Sequence, residues 1–169
     1  MSRETASYKN HKHKALTLQH DTGKVLRLYI STGIPERPRR EVQKLQVDEN
    51  GVKEDKFYAK DPNRAILISC IQSYELAKTN DITIEEGVLG ENIYIDIDPY
   101  SLLPGDIIEI GECRFEVTQN CTLCKGLAQI NPKLPRLLKD DRGIFVRALQ
   151  KGSISVDDTV ILHKKKETT

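Results

Sequence analysis

A chain of 169 residues can bury one core unaided, and its 26 basic against 25 acidic side chains leave a formal charge of +1. That balance supplies no global field to attract nucleic acid or an anionic membrane. No apolar run approaches a bilayer span or the h-region of a signal peptide. Four cysteines in a chain this long do not make a disulfide scaffold, and the expectation is a cytoplasmic protein whose thiols stay reduced.

Residues 1–22 carry Lys9, Lys12 and Lys14 among His11, His13 and His20, with few apolar positions. They read as a flexible tail that buries too little to offset its ordering entropy. His11 and His13 have no carboxylate or thiol nearby to complete a ligand set. A folded domain is expected over 23–163, followed by a polar tail at 164–169.

From Lys24 the pattern has period two, with Leu26, Leu28 and Ile30 on one face and Val25, Arg27 and Tyr29 on the other. Gly33-Ile34-Pro35 ends that strand. Arg37, Arg39 and Arg40 follow; such a cluster can grip a phosphate, but it reads here as a solvated loop. Val42 to Val47 predicts a second strand, closed by the turn signal Asn50-Gly51. Ala65 to Ser69 is a continuous apolar run suited to a strand covered on both faces. A helix comes next, with Ser69 as N-cap, Gln72 at the capping-box spacing, and Ile71, Tyr74 and Ala77 as its apolar stripe.

Ile93, Ile95 and Ile97 alternate with Tyr94 and Asp96 as another strand. After the turn Leu103-Pro104-Gly105-Asp106, Ile107 to Ile110 runs into Gly111-Glu112, a two-residue connection of type II′ form. The return strand places Cys113, Phe115 and Val117 inward, which makes Cys113 a small core residue. Leu134, Leu137 and Leu138 give a short helical turn. Ile144 to Leu149 and Ser153 to Leu162 supply the last strands. About eight short strands with two brief helices predict a mainly β fold, a closed mixed or antiparallel β-barrel that leaves no open edge.

The chemistry concentrates at Cys121-Thr122-Leu123-Cys124. Half of a zinc site is one reading, but Cys70, Cys113 and His163 are scattered singly where a second close pair is needed. A thioredoxin-like dithiol is another, although that motif opens a long helix in a βαβ unit and the context here is strands. A single functional thiolate at Cys124, favoured by the neighbouring Lys125, is the third. Two ordinary cysteines at a strand end remain as the bland alternative, and spacing alone does not choose among them.

The ordered set of segments does more. Gly87-Val-Leu-Gly-Glu-Asn-Ile93, Leu103-Pro-Gly-Asp106, Ile110-Gly-Glu-Cys-Arg-Phe-Glu-Val-Thr-Gln119 and Cys124-Lys125 together resemble the MOSC family, related to the C-terminal domain of molybdenum cofactor sulfurases. Gly51-Val-Lys-Glu-Asp-Lys-Phe57 is similar to the family's Gly-x-x-Gly-Asp-x-His segment. Arg64 to Ser69 is similar to its Arg-containing strand. Arg142 to Arg147, and Gly152 through Val160, are similar to its closing strands.

The resemblance implies a β-barrel, pyruvate kinase β-barrel-like, whose one key cysteine is Cys124. In relatives that thiolate ligates the molybdenum of a pyranopterin cofactor or carries sulfur, and a soft thiolate suits both tasks. The positions matching the family's polar cofactor contacts are Arg64, Asn92 and Lys125. The implied function is binding of the molybdenum cofactor, or sulfur carriage for its maturation, through Cys124. Reduction of N-hydroxylated compounds with electrons from a separate reductase is the implied reaction if the chain is catalytic, and a sulfur donor protein is the other implied partner. A non-enzymatic interaction module that kept the barrel and lost the cofactor is the alternative.

This chain departs from the family pattern at four places. Asn120-Cys121-Thr122-Leu123-Cys124 stands for Pro-Arg-x-Pro-Cys, so cysteine replaces an arginine. Glu54 and Asp157 stand where glycine is usual, and Phe57 where histidine is common.

Overall fold

The computed structural model describes residues 19–122 and 125–164, so residues 1–18 of the tail expected over 1–22, and the residues beyond Lys164, lie outside the described residues, while Gln19 to Thr22 are not tail but paired strand. In chain order the elements are β1 (Gln19–Ser31), β2 (Arg39–Val42), β3 (Lys44–Asp48), β4 (Gly51–Val52) and β5 (Ile66–Cys70). Helix α1 (Ile71–Thr79), β6 (Ile93–Ile95), β7 (Ile107–Ile110) and β8 (Cys113–Asn120) follow. The chain closes with α2 (Lys125–Ile130), α3 (Leu134–Leu137), β9 (Ile144–Gln150), β10 (Gly152–Ser155) and β11 (Thr159–Lys164).

Strand β1 pairs with β11 along one edge and with β6 along the other, so the order β1-β11-β7-β8-β9-β5-β6 returns to its start. The result is the expected closed mixed barrel, of seven strands. Every neighbouring pair is antiparallel except β5 with β6. That parallel pair follows from α1, which carries the chain back across the wall before β6 begins. Strand β2 adds to the far end of β1 outside the closed ring, and β10, β3 and β4 form a small separate sheet.

The barrel interior is filled by branched aliphatics around Phe115, including Leu28, Ile66, Ile68, Ile93, Ile108 and Ile144. A second apolar layer outside the wall packs Tyr29, Tyr94 and Leu89 against Tyr74 and Ala77 of α1 and Leu134 of α3. Strand β5 is buried along its whole length, as its unbroken apolar run predicts. The hairpin from β7 to β8 pairs Ile110 with Cys113, and Gly111 has φ 55°, as the first central position of a II′ turn requires.

Five local expectations change. The strict alternation expected in β1 breaks at a bulge, because its register against β6 slips between Val25 and Arg27. Val25, Leu28 and Ile30 therefore share the interior, and Leu26 packs in the outer layer. Ser69 is not the N-cap of α1. Pairing with β6 continues β5 through Cys70, which becomes the uncapped N-terminal flank, and the Ser69 hydroxyl donates to Glu91 at 2.7 Å. The expected strand from Val42 to Val47 is two strands with a bend at Gln43 between them. Arg39 and Arg40, expected in a solvated loop, lie in β2, where Arg39 pairs with Ser31. A third short helix, α2, has no counterpart in the sequence reading.

Candidate functional site

Adjacent strands of the barrel wall build the floor of the site. Leu67 of β5 pairs with Phe145 of β9, and alternation turns both away from the interior. With Cys121, just beyond β8, they form a small buried cluster of their own. Above this floor lies a cavity of about 340 Å³. One side is the connection between β4 and β5, with Phe57, Lys60, Asp61 and Arg64; the other is Leu89, Gly90 and Asn92 before β6. Arg39 of β2 and Arg142, just before β9, complete the rim.

A buried carboxylate holds this frame. Asp55 accepts hydrogen bonds from the backbone N–H of Ser31 (2.6 Å) and of Phe57 (3.0 Å), and from the Asn92 side-chain amide (3.0 Å). The same amide donates to the Tyr29 carbonyl, while its oxygen accepts from the Leu67 N–H. Asn92 thus ties β1 to β5 where β6 begins. It lines the pocket, but its hydrogen-bonding capacity is spent on the wall.

The cationic groups are placed by similar local bonds. Arg39 donates through Nη1 to the Ser31 hydroxyl at 2.6 Å, so the Asp55-anchored end of β1 also aims this guanidinium. Arg142 donates through Nη2 to the Leu89 carbonyl at 3.1 Å, while its Nε and Nη1 are buried with no partner. Gly90 makes room between them. It has φ +97°, and a Cβ there would stand 3.3 Å from Arg39 Nη2 and 3.9 Å from Arg142 Nη2. Arg64 lies over the Phe145 ring, its guanidinium carbon 5.4 Å from the ring centre. Asp61 is the one acidic side chain among the described lining residues, and its carboxylate is engaged by the Asn63 N–H. Four cationic side chains, Arg39, Lys60, Arg64 and Arg142, therefore share the lining with one carboxylate, and a buried guanidinium nitrogen without a partner costs free energy.

The residues expected from sequence distribute unevenly. Arg64 and Asn92 both line this pocket. Cys124 and the side chain of Lys125 lie outside the described residues. Cys121, three residues before Cys124, is 3% exposed and belongs to the floor, its N–H donating to the Gly143 carbonyl at 3.0 Å. Cys113 and Cys70 are core residues, and burial pushes each thiol up to about 11. No cluster of metal-ligating side chains occurs among the described residues. No helix among them is long and apolar enough to cross a membrane.

Sequence reasoning missed Arg39, Arg142 and Asp55 as site residues. Arg39 stood in the basic run 37–40, and Asp55 in the segment Gly51–Phe57, so a signal existed for both. Arg142 likewise opened the family-like segment Arg142–Arg147, though nothing in that segment marked it as a site residue. The departures from the family pattern also find places. Glu54 (φ 76°) and Asp157 (φ 79°) hold the left-handed conformation that glycine adopts most easily. Phe57 stands at the pocket rim, 45% exposed, with Lys56 Nζ 5.0 Å from its ring centre.

The fold is thus a closed seven-strand barrel with a largely cationic pocket on its outer wall, floored by a cysteine. The MOSC domain family matches residues 55–161, more than half of the chain, and the chain belongs to that family. A search of curated proteins finds no match. Among solved structures, the chain is similar to the YuaD protein from Bacillus subtilis, at 20% identity over 87% of this chain and 98% of that one, with a TM-score of 0.76. YiiM from Geobacillus stearothermophilus matches at 19% identity over 83% and 74% of the two chains (TM-score 0.64). YiiM from Escherichia coli matches at 20% over 82% and 69% (TM-score 0.60). At these identities the likeness establishes a shared fold.

Proposed function

We propose that this barrel binds a pyranopterin molybdenum cofactor or carries sulfur for its maturation, with Cys124 as the functional thiolate. The observation that carries the reading is the gathering of Arg39, Lys60, Arg64 and Arg142 around a pocket whose lining has one carboxylate, Asp61. Such a pocket fits an anionic group. The covalent chain brings Cys124 three residues beyond the pocket's own cysteine, which supports a thiol chemistry next to that anion site.

In this reading Arg142, Arg39 and Arg64 neutralise the ligand, Leu67 and Phe145 give it a dry floor, and Asp55 with Asn92 keeps the walls fixed. The cofactor, when bound, supplies two-electron chemistry at its metal, suited to reduction of N-hydroxylated compounds with electrons from a separate reductase. In the sulfur-carrier form, the Cys124 thiolate would take the outer sulfur of a donor protein's cysteine persulfide, and the donor cysteine would leave as its thiolate. Both forms need reduced thiols, which a cytoplasmic setting provides, and neither calls for nucleic acid or membrane.

The test is metal analysis and persulfide labelling of protein purified from a host that makes the cofactor. Stoichiometric molybdenum that disappears in Cys124→Ser and survives in Cys121→Ser supports cofactor binding. Persulfide confined to Cys124, without molybdenum, supports sulfur carriage. Neither signal overturns the proposal and leaves a barrel that serves as an interaction module.

A further inference from the structure

The MOSC pattern commonly has histidine at position 57, and this chain has phenylalanine there. The exchange replaces a hydrogen-bonding ring at the pocket mouth by a purely apolar one, exposed to solvent yet part of the lining. Single exposed aromatics are common on surfaces, so exposure alone says little. The way this ring is mounted says more. The Phe57 N–H donates to Asp55 Oδ2 at 3.0 Å, and the Lys60 N–H donates to the Phe57 carbonyl at 3.3 Å. Asp55 is itself buried and accepts from the Ser31 N–H and the Asn92 amide. The ring therefore stands on a turn anchored by the same carboxylate that fixes the cavity wall.

The rest of the apolar lining continues that chemistry. Leu67, Leu89 and the Phe145 ring offer no hydrogen bonds, and the Asn92 side chain has spent its own on the wall. Cations lie against both rings: Lys56 Nζ is 5.0 Å from the centre of Phe57, and the Arg64 guanidinium carbon is 5.4 Å from that of Phe145. Against this part of the cavity, a sugar or polyol would give up hydrogen bonds to water for contacts that cannot replace them. A flat π-system loses little by the same transfer and gains ring contact.

We propose that Phe57 is a stacking shelf at the pocket mouth, and that the compound bound beside it is a planar aromatic or heteroaromatic one. The cavity of about 340 Å³ is small for a ligand site and suits a single ring system. This deepens the reading above by naming the class of substrate, and rests on it only in taking this pocket as the place of reaction. The test involves neither molybdenum nor a persulfide, so either idea can fail while the other stands.

The probes are benzoate and cyclohexanecarboxylate, which share a charge and differ in planarity and π-electrons. Calorimetry on the purified protein is expected to show benzoate binding about 3–10-fold more tightly, the worth of one aromatic pair. Phe57→Leu should abolish that preference while leaving cyclohexanecarboxylate within about twofold of the parent, and Phe57→Tyr should keep it. Leu103→Ala, which removes an exposed apolar side chain outside the pocket lining, should bind both probes as the parent does. The chain has no tryptophan, so Phe57→Trp sets a single indole at the mouth, and its emission should change saturably with benzoate.

Circular dichroism on each variant separates lost binding from lost fold. Equal affinity of the two probes for the parent, or no benzoate binding, overturns the aromatic ligand. A preference that survives in folded Phe57→Leu, or an equal loss of both probes there, overturns the shelf. Indole emission that saturating benzoate leaves unchanged overturns it as well.

Discussion

Strands β5 and β9 each belong to two different environments. Their inward side chains, Ile66, Ile68, Ile144 and Val146, are fully sealed in an apolar barrel interior that also holds the Cys70 and Cys113 thiols. One residue along, Leu67 and Phe145 turn outward and floor a pocket ringed by guanidinium groups, some of whose nitrogens are buried without partners. The pleat alone separates the two, since neighbouring residues of a strand face opposite ways. Inside, the side chains are held by apolar packing alone. Outside, unmet charge is tolerated, and that tolerance is what a binding site requires.

The comparison is broken most sharply by truncating one aromatic from each side. Phe115→Ala, at the centre of the interior and 0% exposed, should destabilise the barrel by about 3–5 kcal/mol, because the closed core cannot collapse onto the void. Phe145→Ala should lose under about 2 kcal/mol, because its space opens into a cavity that solvent already reaches. Urea unfolding of both variants at neutral pH measures the difference. Equal losses would mean that the pocket floor is as much core as the barrel is.

A smaller effect comes from titrating the interior. Burial raises the Cys113 thiol from near 9.0 to about 11. The folded pKa is above the unfolded one, so its contribution is complete below pH 9 and is lost as pH rises towards 11. For this nearly inaccessible group the loss amounts to about 2–3 kcal/mol. The urea midpoint should therefore fall across that window, and Cys113→Ala should flatten the fall. A slope that Cys113→Ala leaves untouched would remove the thiol from the account.

The smallest expected effect lies at the two places where the family's glycine is missing. Glu54→Gly and Asp157→Gly each relieve a left-handed residue, and each should stabilise by up to about 1 kcal/mol once the greater unfolded-state freedom of glycine is offset. Glu54→Gly also gives up an exposed ion pair with Arg40, which is worth little. Thermal unfolding would show a rise of a few degrees at most. A fall in either variant would show that the side chain repays its strain through contacts.

Much of the fold was legible from the chain. The β7–β8 hairpin was readable in full, because its alternation, its glycine-first turn and its inward set Cys113, Phe115 and Val117 are local signals. Strand β5 was readable from its apolar run. The cap of α1 was not, because Ser69 fits a capping box by spacing but its hydroxyl is taken by Glu91, a partner 22 residues away. The bulge in β1 was equally hidden, since it arises from pairing with β6 rather than from any residue of β1. In the site, Arg64 and Asn92 could be found because they sit in recognisable segments.

The sequence by itself determined the barrel and the inward faces of most strands, because alternation, turn chemistry and ordered motifs are written in neighbouring residues. The tertiary structure alone decided that Arg39 leaves its basic run to join Arg142 over Gly90, and that Asp55 anchors the wall behind them. It also decided that Asn92 serves that wall first. The reason is physical: a charge run looks the same in a loop or a pocket until strand pairing brings Ser31 beside Arg39, and only the folded wall brings Gly90 and Arg142 near it.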